Sequence, residues 1–256
     1  MSAISLALLS LLSLLPLSHA SFCDTSGSVS AHPGDYIDLN PWMLQLPINC
    51  GQSGCPDSCS GLCEVKNPTL GTYESVYFYS DMDHMTMCVP LGGATTSDSE
   101  YPRTELSEND DWSPKSGNHT MTAQVRVLHV PSRPEVVIGQ IRERTGGGTY
   151  ANTLQIFWND GGVEVRVRDK SGGMIKIPNG NAITTAPINE TIKYTVNWRD
   201  YQLYVSVNGH HVSYDYSYIA SDDPLLYFKA GNYCQDSSTG NDGCRVGFNS
   251  LTVVNN

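Results

Sequence analysis

The feature that most constrains this chain is a series of short β-rich runs separated by turn signals. Several runs alternate apolar and polar side chains, as in residues 121–130 and 192–198, and a period of two is typical of half-buried strands. Dipeptides that favour two-residue hairpins lie between runs, such as Asp160-Gly161 and Asn208-Gly209. No stretch has sustained helical periodicity. The pattern therefore predicts an all-β, antiparallel β-sandwich or jelly roll.

The β-rich runs occupy most of the chain after the first 70 residues. The predicted strands are 73–79, 121–130, 136–144, 154–158, 163–168, 174–177, 192–198, 203–207, 225–229 and 245–254. Neither an internal repeat nor a stretch of linker composition interrupts this series. We therefore expect a single domain.

The first 20 residues have a different character. Residues 4–17 are apolar or small with no ionisable side chain, and they end in Ser18-His19-Ala20, a sequence typical of a secretory signal and its cleavage site. We expect a signal peptide over 1–20, a domain over 21–256 and secretion from the cell. No second apolar run approaches the roughly 20 residues that span a bilayer, which argues against a membrane-embedded protein.

The charge balance restricts the partners. Lys and Arg number 15 against 26 Asp and Glu, which gives a net charge of −11. A nucleic-acid binder needs a basic surface to neutralise phosphates, so we expect no nucleic-acid partner. A polyanionic ligand remains compatible with this charge only where the few cations gather in one groove.

Eight cysteines after a signal sequence indicate disulfides. Cys234 and Cys244 flank a loop-like segment, residues 235–243, and we predict that they pair and fix this loop beside Tyr233. The four cysteines Cys50, Cys55, Cys59 and Cys63 lie in a Gly/Ser/Pro-rich segment, and a zinc knot is an alternative interpretation of them. The sequons at Asn118 and Asn189 fit a glycosylated extracellular protein.

Strand alternation also indicates which polar side chains share a face. In the run 137–144, residues 140, 142 and 144 point one way, and residues 137, 139, 141 and 143 point the other. Two further segments each present polar groups on one face, and together the three segments would form a groove if they are neighbours. The candidate groove residues are Arg103, Glu105, Gln140, Arg142, Arg144, Lys229, Tyr233 and Gln235.

These residues carry a resemblance to polysaccharide lyase family 7, the alginate lyases with a concanavalin-like β-jelly roll and an open groove. The family motifs R-T/S-E-L-R, Q-I/V-H and Y-F-K-A-G-x-Y-x-Q resemble R-T-E-L-S at residues 103–107, Q-I-R at 140–142 and Y-F-K-A-G-N-Y-C-Q at 227–235. Residues 39–47, with Trp42, are similar to the family's opening strand. Two positions differ: Ser107 replaces an arginine and Arg142 replaces a histidine.

The resemblance implies β-elimination on a 1,4-linked uronan, an anionic polysaccharide, with a 4,5-unsaturated product. It implies that Tyr233 is the catalytic acid and base and that Arg103 and Gln140 bind the uronate carboxylate. It implies no cofactor and no catalytic metal, and we expect a monomer. The expected substrate-binding residues are Arg142, Lys229, Glu105, Arg144, Gln235 and His119, of which Glu105 is expected to pair with a groove cation. His84, His119, His210 and His211 are candidates to replace the missing histidine, and His119 is preferred because it lies near the start of the strand that precedes Gln140 in sequence.

Stereochemistry limits the substrate. In mannuronate and glucuronate the C5 proton and O4 leave from the same side, so one tyrosine can serve both transfers, whereas anti elimination from guluronate is better served by a separate base. The lost histidine therefore favours β-linked mannuronate or glucuronate chains.

Two other functions remain open from the sequence. A jelly roll can be a non-catalytic, lectin-like polyuronide-binding protein, because the fold does not fix the function. A glycoside hydrolase would need two carboxylates beside the bond, for which Glu105 and Glu143 are candidates, although alternation turns Glu143 away from Gln140.

Overall fold

A computed structural model describes residues 22–23, 31–56, 59–97, 99–144 and 151–256. The predicted signal peptide, residues 1–20, lies outside these described residues. Among the described residues, no helix combines the length and the apolar character needed to cross a membrane.

Sixteen β-strands are found in the described ranges, together with three short 3₁₀ turns at Pro33–Asp35, Thr69–Thr72 and Ser217–Ile219. The strands of the first half are β1 Trp42–Asn49, β2 Leu62–Val65, β3 Phe78–Asp81, β4 His84–Pro90, β5 Arg103–Glu108, β6 Asn118–His129, β7 Glu135–Glu143 and β8 Leu154–Asn159. Those of the second half are β9 Gly162–Arg168, β10 Met174–Ile177, β11 Thr184–Thr185, β12 Thr191–Arg199, β13 Gln202–Val207, β14 His210–Asp215, β15 Leu226–Cys234 and β16 Gly243–Asn255.

The strands form two sheets in which all pairings are antiparallel. The nine-stranded sheet has the order β10-β9-β8-β7-β15-β5-β1-β2, with β11 also paired to β9, and the seven-stranded sheet has the order β14-β13-β12-β6-β16-β4-β3. Apolar side chains from both sheets, such as Val165 of β9 and Val125 of β6, belong to one buried core. The prediction of an all-β sandwich is confirmed.

Hairpin turns follow the predicted dipeptides. Asp160 and Gly161, between β8 and β9, have φ values of 44° and 83°, and Asn208 and Gly209, between β13 and β14, have φ values of 48° and 83°. Positive φ at both positions matches the type I′ turn and the twist of the strands. A third such turn, between β12 and β13, contains Tyr201 with φ 61° and no glycine, and no sequence signal indicated it.

The described cysteines all form disulfides. The predicted pair Cys234–Cys244 is confirmed, and it joins the end of β15 to the start of β16. The other pairs are Cys23–Cys88, Cys50–Cys59 and Cys55–Cys63. The zinc interpretation is wrong, because zinc needs free thiolates and these four sulfurs are already in disulfides.

One predicted strand is misplaced. The run 73–79 was expected to be extended throughout, but β3 begins only at Phe78, after the 3₁₀ turn Thr69–Thr72. Tyr73 packs its ring on Phe78, with centroids 6.3 Å apart. Tyr73 therefore packs against the core from the connection before β3, and only Phe78 and Tyr79 of this run lie on the strand.

Gly231 provides a test of the pairing between β15 and β5. It lies opposite Glu105, and a Cβ atom there would come 2.6 Å from the Glu105 Cα and 2.7 Å from the Thr104 carbonyl oxygen. We expect Gly231→Ala to lower the free energy of unfolding by about 1–3 kcal/mol, the usual cost of overpacking. Gly71→Ala is the matched control, because nothing lies within 4 Å of its added Cβ. Denaturant unfolding with the disulfides intact measures both, and equal midpoints would contradict the packing argument.

Candidate active site

The three sequence motifs come together on adjacent strands in the middle of the nine-stranded sheet. Lys229 of β15 pairs with Gln140 of β7 on one side and with Ser107 of β5 on the other. Tyr233, farther along β15, pairs with Arg103 of β5. Neighbouring strands lie about 4.8 Å apart, and directly paired residues project to the same side. The segments are therefore the neighbours that the groove hypothesis required, and we call this side of the sheet the site face.

A register shift in β7 changes which residues reach the site face. Val136 and Ile138 belong to the main core, but Val137 packs with Phe157 and Tyr233 in a separate cluster. The pairing shifts between Val137 and Gly139, so that Gln140 also reaches the site face. The expectation that Val137 points away from the Gln140 face is wrong, because an irregularity of this kind interrupts simple alternation.

Glu105 lies at the centre of the site and is fully buried. Its carboxylate is 2.6 Å from the Lys229 Nζ and 3.4 Å from the Arg103 Nη1, and it accepts a hydrogen bond from the Gln140 amide. Burial alone would raise the pKa of Glu105, but Lys229 and Arg103 outweigh it and lower the pKa. Glu105 is therefore ionised, and it pairs with the groove cations as expected.

Lys229 is the second buried charge of the site. Its Nζ donates to the Gln45 Oε1 at 2.9 Å as well as contacting Glu105. Burial lowers the pKa of Lys229 to about 8, although Glu105 opposes this shift. At neutral pH, two buried cations, Arg103 and Lys229, thus face one buried carboxylate. This positive excess favours an anion in the site.

Arg142 and Arg144 have different surroundings. Arg144 is held by the Asp111 carboxylate, donates to the Glu108 carbonyl at 2.9 Å and covers the Tyr227 ring at 3.8 Å. Arg142 pairs with Tyr227 along the strands and, within the described part of the chain, makes no hydrogen bond or ion pair through its half-buried side chain. The Arg142 guanidinium is therefore the one more available to a ligand.

Tyr233 presents its phenol beside Arg103. The Arg103 guanidinium carbon lies 4.0 Å from the centre of the Tyr233 ring, and the phenol oxygen is 2.9 Å from the Ser99 Oγ. The Nε of Arg103 is buried and has no hydrogen-bond partner among the described residues. A carboxylate that accepted from this Nε would lie next to the phenol. The phenol of Tyr233 therefore lies directly beside a guanidinium that has one N–H without a partner among the described residues.

A polar row crosses the sheet perpendicular to the strands. Successive pairings connect Lys176, Arg166, Gln155, Gln140, Lys229 and Ser107. The Gln155 Nε2 donates to the Gln140 Oε1 at 3.2 Å. At the outer end, Arg166 and Lys176 both pair with Glu164, at 2.5 and 2.8 Å. The row therefore offers amides in its middle and largely neutralised charges at that end.

His119 does not belong to the site, and its expected role is wrong. It lies on β6 in the seven-stranded sheet, its ring stacks on Trp112 at 4.4 Å, and its nitrogens contact the Ser116 carbonyl and the Asn255 side chain at 2.9 Å each. Sequence proximity to Gln140 had suggested it, but β6 and β7 belong to different sheets.

Gln235 lies past the end of β15, and its Nε2 donates to the Tyr233 carbonyl at 3.1 Å. This contact supports the backbone beside Tyr233, and the side chain is buried. In this structure Gln235 therefore supports the Tyr233 backbone.

Several other basic and aromatic side chains lie away from the site face. Arg126 and Arg245 are on β6 and β16 of the seven-stranded sheet, where Arg126 pairs with Asp83. Tyr194 and Trp198 are buried in the core, and Tyr204 is exposed on β13.

Sequence reasoning missed several site residues. Gln155 and Phe157 alternate with buried Leu154 and Ile156, and this alternation within the predicted strand 154–158 could have placed them on the site face. Ser99 lies in the connection between β4 and β5, where no periodic signal exists.

Comparison with known proteins agrees with this geometry. The alginate lyase family model matches residues 37–255. The crystal structure of alginate lyase A1-II′, a member of polysaccharide lyase family 7, aligns at a TM-score of 0.75 and 30% identity over 88% of this chain and 99% of that chain. A variant of A1-II′ in complex with a substrate written GGMG aligns at a TM-score of 0.75 and 30% identity over 89% of this chain and 97% of that chain.

Alginate lyase PA1167 from Pseudomonas aeruginosa aligns at a TM-score of 0.74 and 26% identity over 86% of this chain and 100% of that chain. Curated protein sequences give no match.

The site geometry and the family match together distinguish a lyase from a glycoside hydrolase. Glu105 is occupied by two cations, and Glu143 pairs with the core residue Leu226, so these carboxylates do not form the facing pair of a glycoside hydrolase. With the motifs assembled on one face and the family model spanning residues 37–255, the chain belongs to the alginate lyases of polysaccharide lyase family 7.

Proposed function

We propose that this lyase cleaves β-linked mannuronate or glucuronate chains by an elimination in which Tyr233 is both base and acid. The observation that carries the proposal is the contact of Arg103 with Tyr233, in which a guanidinium with an unpartnered Nε covers a phenol ring at 4.0 Å. A substrate carboxylate bound there would place its C5 proton near the phenol oxygen.

The carboxylate must be bound because the C5 proton is a very weak acid while the carboxylate is fully charged. Charge spreads onto the carboxylate as this proton leaves, and fixed donors stabilise that charge. Arg103 supplies a guanidinium N–H and Lys229 supplies buried positive charge. Gln140 supplies an amide whose oxygen accepts from Gln155 and whose nitrogen donates to Glu105, which leaves one N–H for the substrate.

The elimination breaks two bonds and forms one new C–C π bond. Tyr233, in its phenolate form, takes the C5 proton, the electron pair of that bond forms the C4–C5 double bond, and the C4–O4 bond breaks. The proton that Tyr233 has gained then passes to the leaving O4. One group can perform both steps only where the C5 proton and O4 lie on the same side of the ring, as they do in mannuronate and glucuronate.

The distribution of histidines supports this one-tyrosine route. Of the histidines that the structure describes, none lies on a strand of the nine-stranded sheet; His84, His119, His129, His210 and His211 are on strands of the other sheet and His32 precedes β1. Arg142 stands at the motif position of the histidine and has no described partner. A guanidinium is charged at all relevant pH values, so Arg142 can bind a carboxylate but cannot serve as a base.

We also propose that the protein is secreted, glycosylated and monomeric. Four disulfides support an oxidising compartment. Of the two sequon asparagines, Asn189 is exposed in a turn and Asn118 is exposed at the start of β6.

Removing the phenol oxygen tests the catalytic role. We expect Tyr233→Phe to lower kcat by about 10²–10⁴-fold, the usual contribution of a general acid–base group, while polymer binding persists because Arg103 and Lys229 remain. Absorbance of the unsaturated product measures turnover, and calorimetry measures binding. Tyr204→Phe, on the other sheet, is the matched control and should retain full activity. Substantial turnover by Tyr233→Phe would contradict the role.

Defined polymers test the substrate class. We expect faster cleavage of polymannuronate or glucuronan than of polyguluronate, because one tyrosine cannot easily perform anti elimination. Arg142→His should raise the ratio of guluronate to mannuronate cleavage by restoring a base, whereas Arg142→Lys should not. Initial rates on the three polymers give these ratios. Fast cleavage of polyguluronate by the unchanged enzyme would overturn the assignment.

The pKa of Lys229 predicts a pH dependence. Because burial lowers this pKa to about 8, the ammonium is charged below that pH and loses its charge as the pH rises through it, which removes a cation from the carboxylate site. We expect KM to rise above about pH 8, and Lys229→Arg, which stays charged, to abolish that rise. Thermal unfolding of the variant checks that the larger side chain is accommodated. If KM still rises above about pH 8 in a folded Lys229→Arg variant, the assignment of this rise to Lys229 is refuted.

A further inference from the structure

Ser99 connects the two side chains on which the proposed elimination depends. It lies in the connection between β4 and β5, and its Oγ is 2.9 Å from the Tyr233 Oη, 2.6 Å from the Arg103 Nη2 and 3.0 Å from the Tyr101 carbonyl oxygen. The Tyr101 backbone N–H makes a longer contact at 3.3 Å. No motif of the sequence includes this serine.

The connection that carries Ser99 is fixed at several points by the backbone. Leu91 N–H donates to the Asp242 carbonyl at 2.9 Å, Ala94 N–H donates to the Pro47 carbonyl at 2.8 Å, and Ser99 N–H donates to the Thr96 carbonyl at 3.1 Å. These bonds tie it to the loop after β15 and to β1. The hydroxyl therefore has a defined place beside the phenol.

The number of hydrogen bonds that the Ser99 hydroxyl can donate and accept determines the direction of its contact with Tyr233. A serine hydroxyl donates one hydrogen bond and accepts two. The Arg103 Nη2 can only donate, and the Tyr101 carbonyl can only accept. When Ser99 donates to the Tyr101 carbonyl, its Oγ accepts from Arg103 at 2.6 Å. Its second lone pair accepts from the phenol at 2.9 Å in preference to the Tyr101 N–H at 3.3 Å, so the phenol donates its proton to Ser99. When Tyr233 has lost that proton, the Ser99 hydrogen turns to the phenolate oxygen instead.

We propose that Ser99 is a positioning residue that holds the Tyr233 oxygen in both of its protonation states by rotating one hydroxyl hydrogen between the Tyr101 carbonyl and the phenolate. The Arg103 Nη2 donates to the Ser99 Oγ at 2.6 Å, which makes the serine hydroxyl a stronger donor to the phenolate. The catalytic consequence rests on the proposed function of Tyr233, whereas the hydrogen bond itself does not.

A simpler role must be separated from this one. Ser99 also accepts a hydrogen bond from Arg103. In this simpler role, loss of the serine hydroxyl displaces the guanidinium and weakens substrate binding without affecting the phenol. That role would change KM and the affinity for polymer. Positioning the phenol instead changes kcat and leaves affinity nearly unchanged, because the phenol acts in the reaction step.

The experiment uses Ser99→Ala, with Ser99→Thr as the conservative variant and Thr95→Ala as a control in the same connection. Thr95 is exposed. We expect Ser99→Ala to lower kcat about tenfold, the equivalent of one lost hydrogen bond, with KM within about twofold, and Ser99→Thr to restore most of kcat because it keeps the hydroxyl. Thr95→Ala should match the unchanged enzyme.

Two further measurements isolate the phenol. With tyrosine isotopically labelled at Cζ, the Tyr233 NMR signal, assigned by Tyr233→Phe, should move in Ser99→Ala and return in Ser99→Thr. Polymer affinity should be equal for Tyr233→Phe and for Tyr233→Phe combined with Ser99→Ala. An unmoved signal, or a loss of activity that appears only in KM and affinity, would overturn the inference. If no uronan is cleaved by the unchanged enzyme, the proposed function fails, and the NMR result still decides whether Ser99 holds the phenol.

Discussion

The site depends on one buried carboxylate, Glu105, placed between two buried cations. Without it, Arg103 and Lys229 would lie together in a dry environment without a counter-charge, which is very costly. With it, both side chains are held in place and the three groups together still carry one positive charge. The site can therefore be rigid before substrate arrives and remain attractive to an anion. Preorganised charge of this kind needs no rearrangement as the reaction proceeds.

Much of the fold was predictable because most strands have one face on the core. Alternation and hairpin dipeptides located β6, β8, β9, β10, β12, β13 and β16. Strand β4 was not among the predicted strands, although His84 and Thr86 alternate with Met85 and Met87; every residue of His84–Pro90 is buried. The register shift at Val137–Gly139, where the pairings of β7 with both β8 and β15 are irregular, was also not predicted, although a glycine inside a strand is a common sign of a bulge.

The site residues that lie on strands were predictable from the sequence. Alternation placed Gln140 with Arg142 and Arg103 with Glu105, and the structure brings these segments together on β7, β15 and β5. Residues whose position depends on tertiary structure were not predictable. His119 appeared close to Gln140 in sequence but lies in the other sheet, and Ser99 reaches the site from a connection without periodicity.

The charge distribution shows how a protein with a net charge of −11 can act on an acidic polymer. Cations along the site face are not equally available: Arg166 pairs with both Glu164 and Glu135, Lys176 pairs with Glu164, and Arg144 is held by Asp111. Between Arg166 and Lys229 the polar row offers the amides Gln155 and Gln140, over about 14 Å at the usual strand spacing. A polyuronide crossing the sheet along this row would thus find amide hydrogen-bonding groups in its middle, and the net positive charge of Arg103, Lys229 and Glu105 beside Tyr233. Under the proposed function, this charge binds the carboxylate of the sugar beside Tyr233 more strongly than those of its neighbours, and the elimination takes place at that sugar.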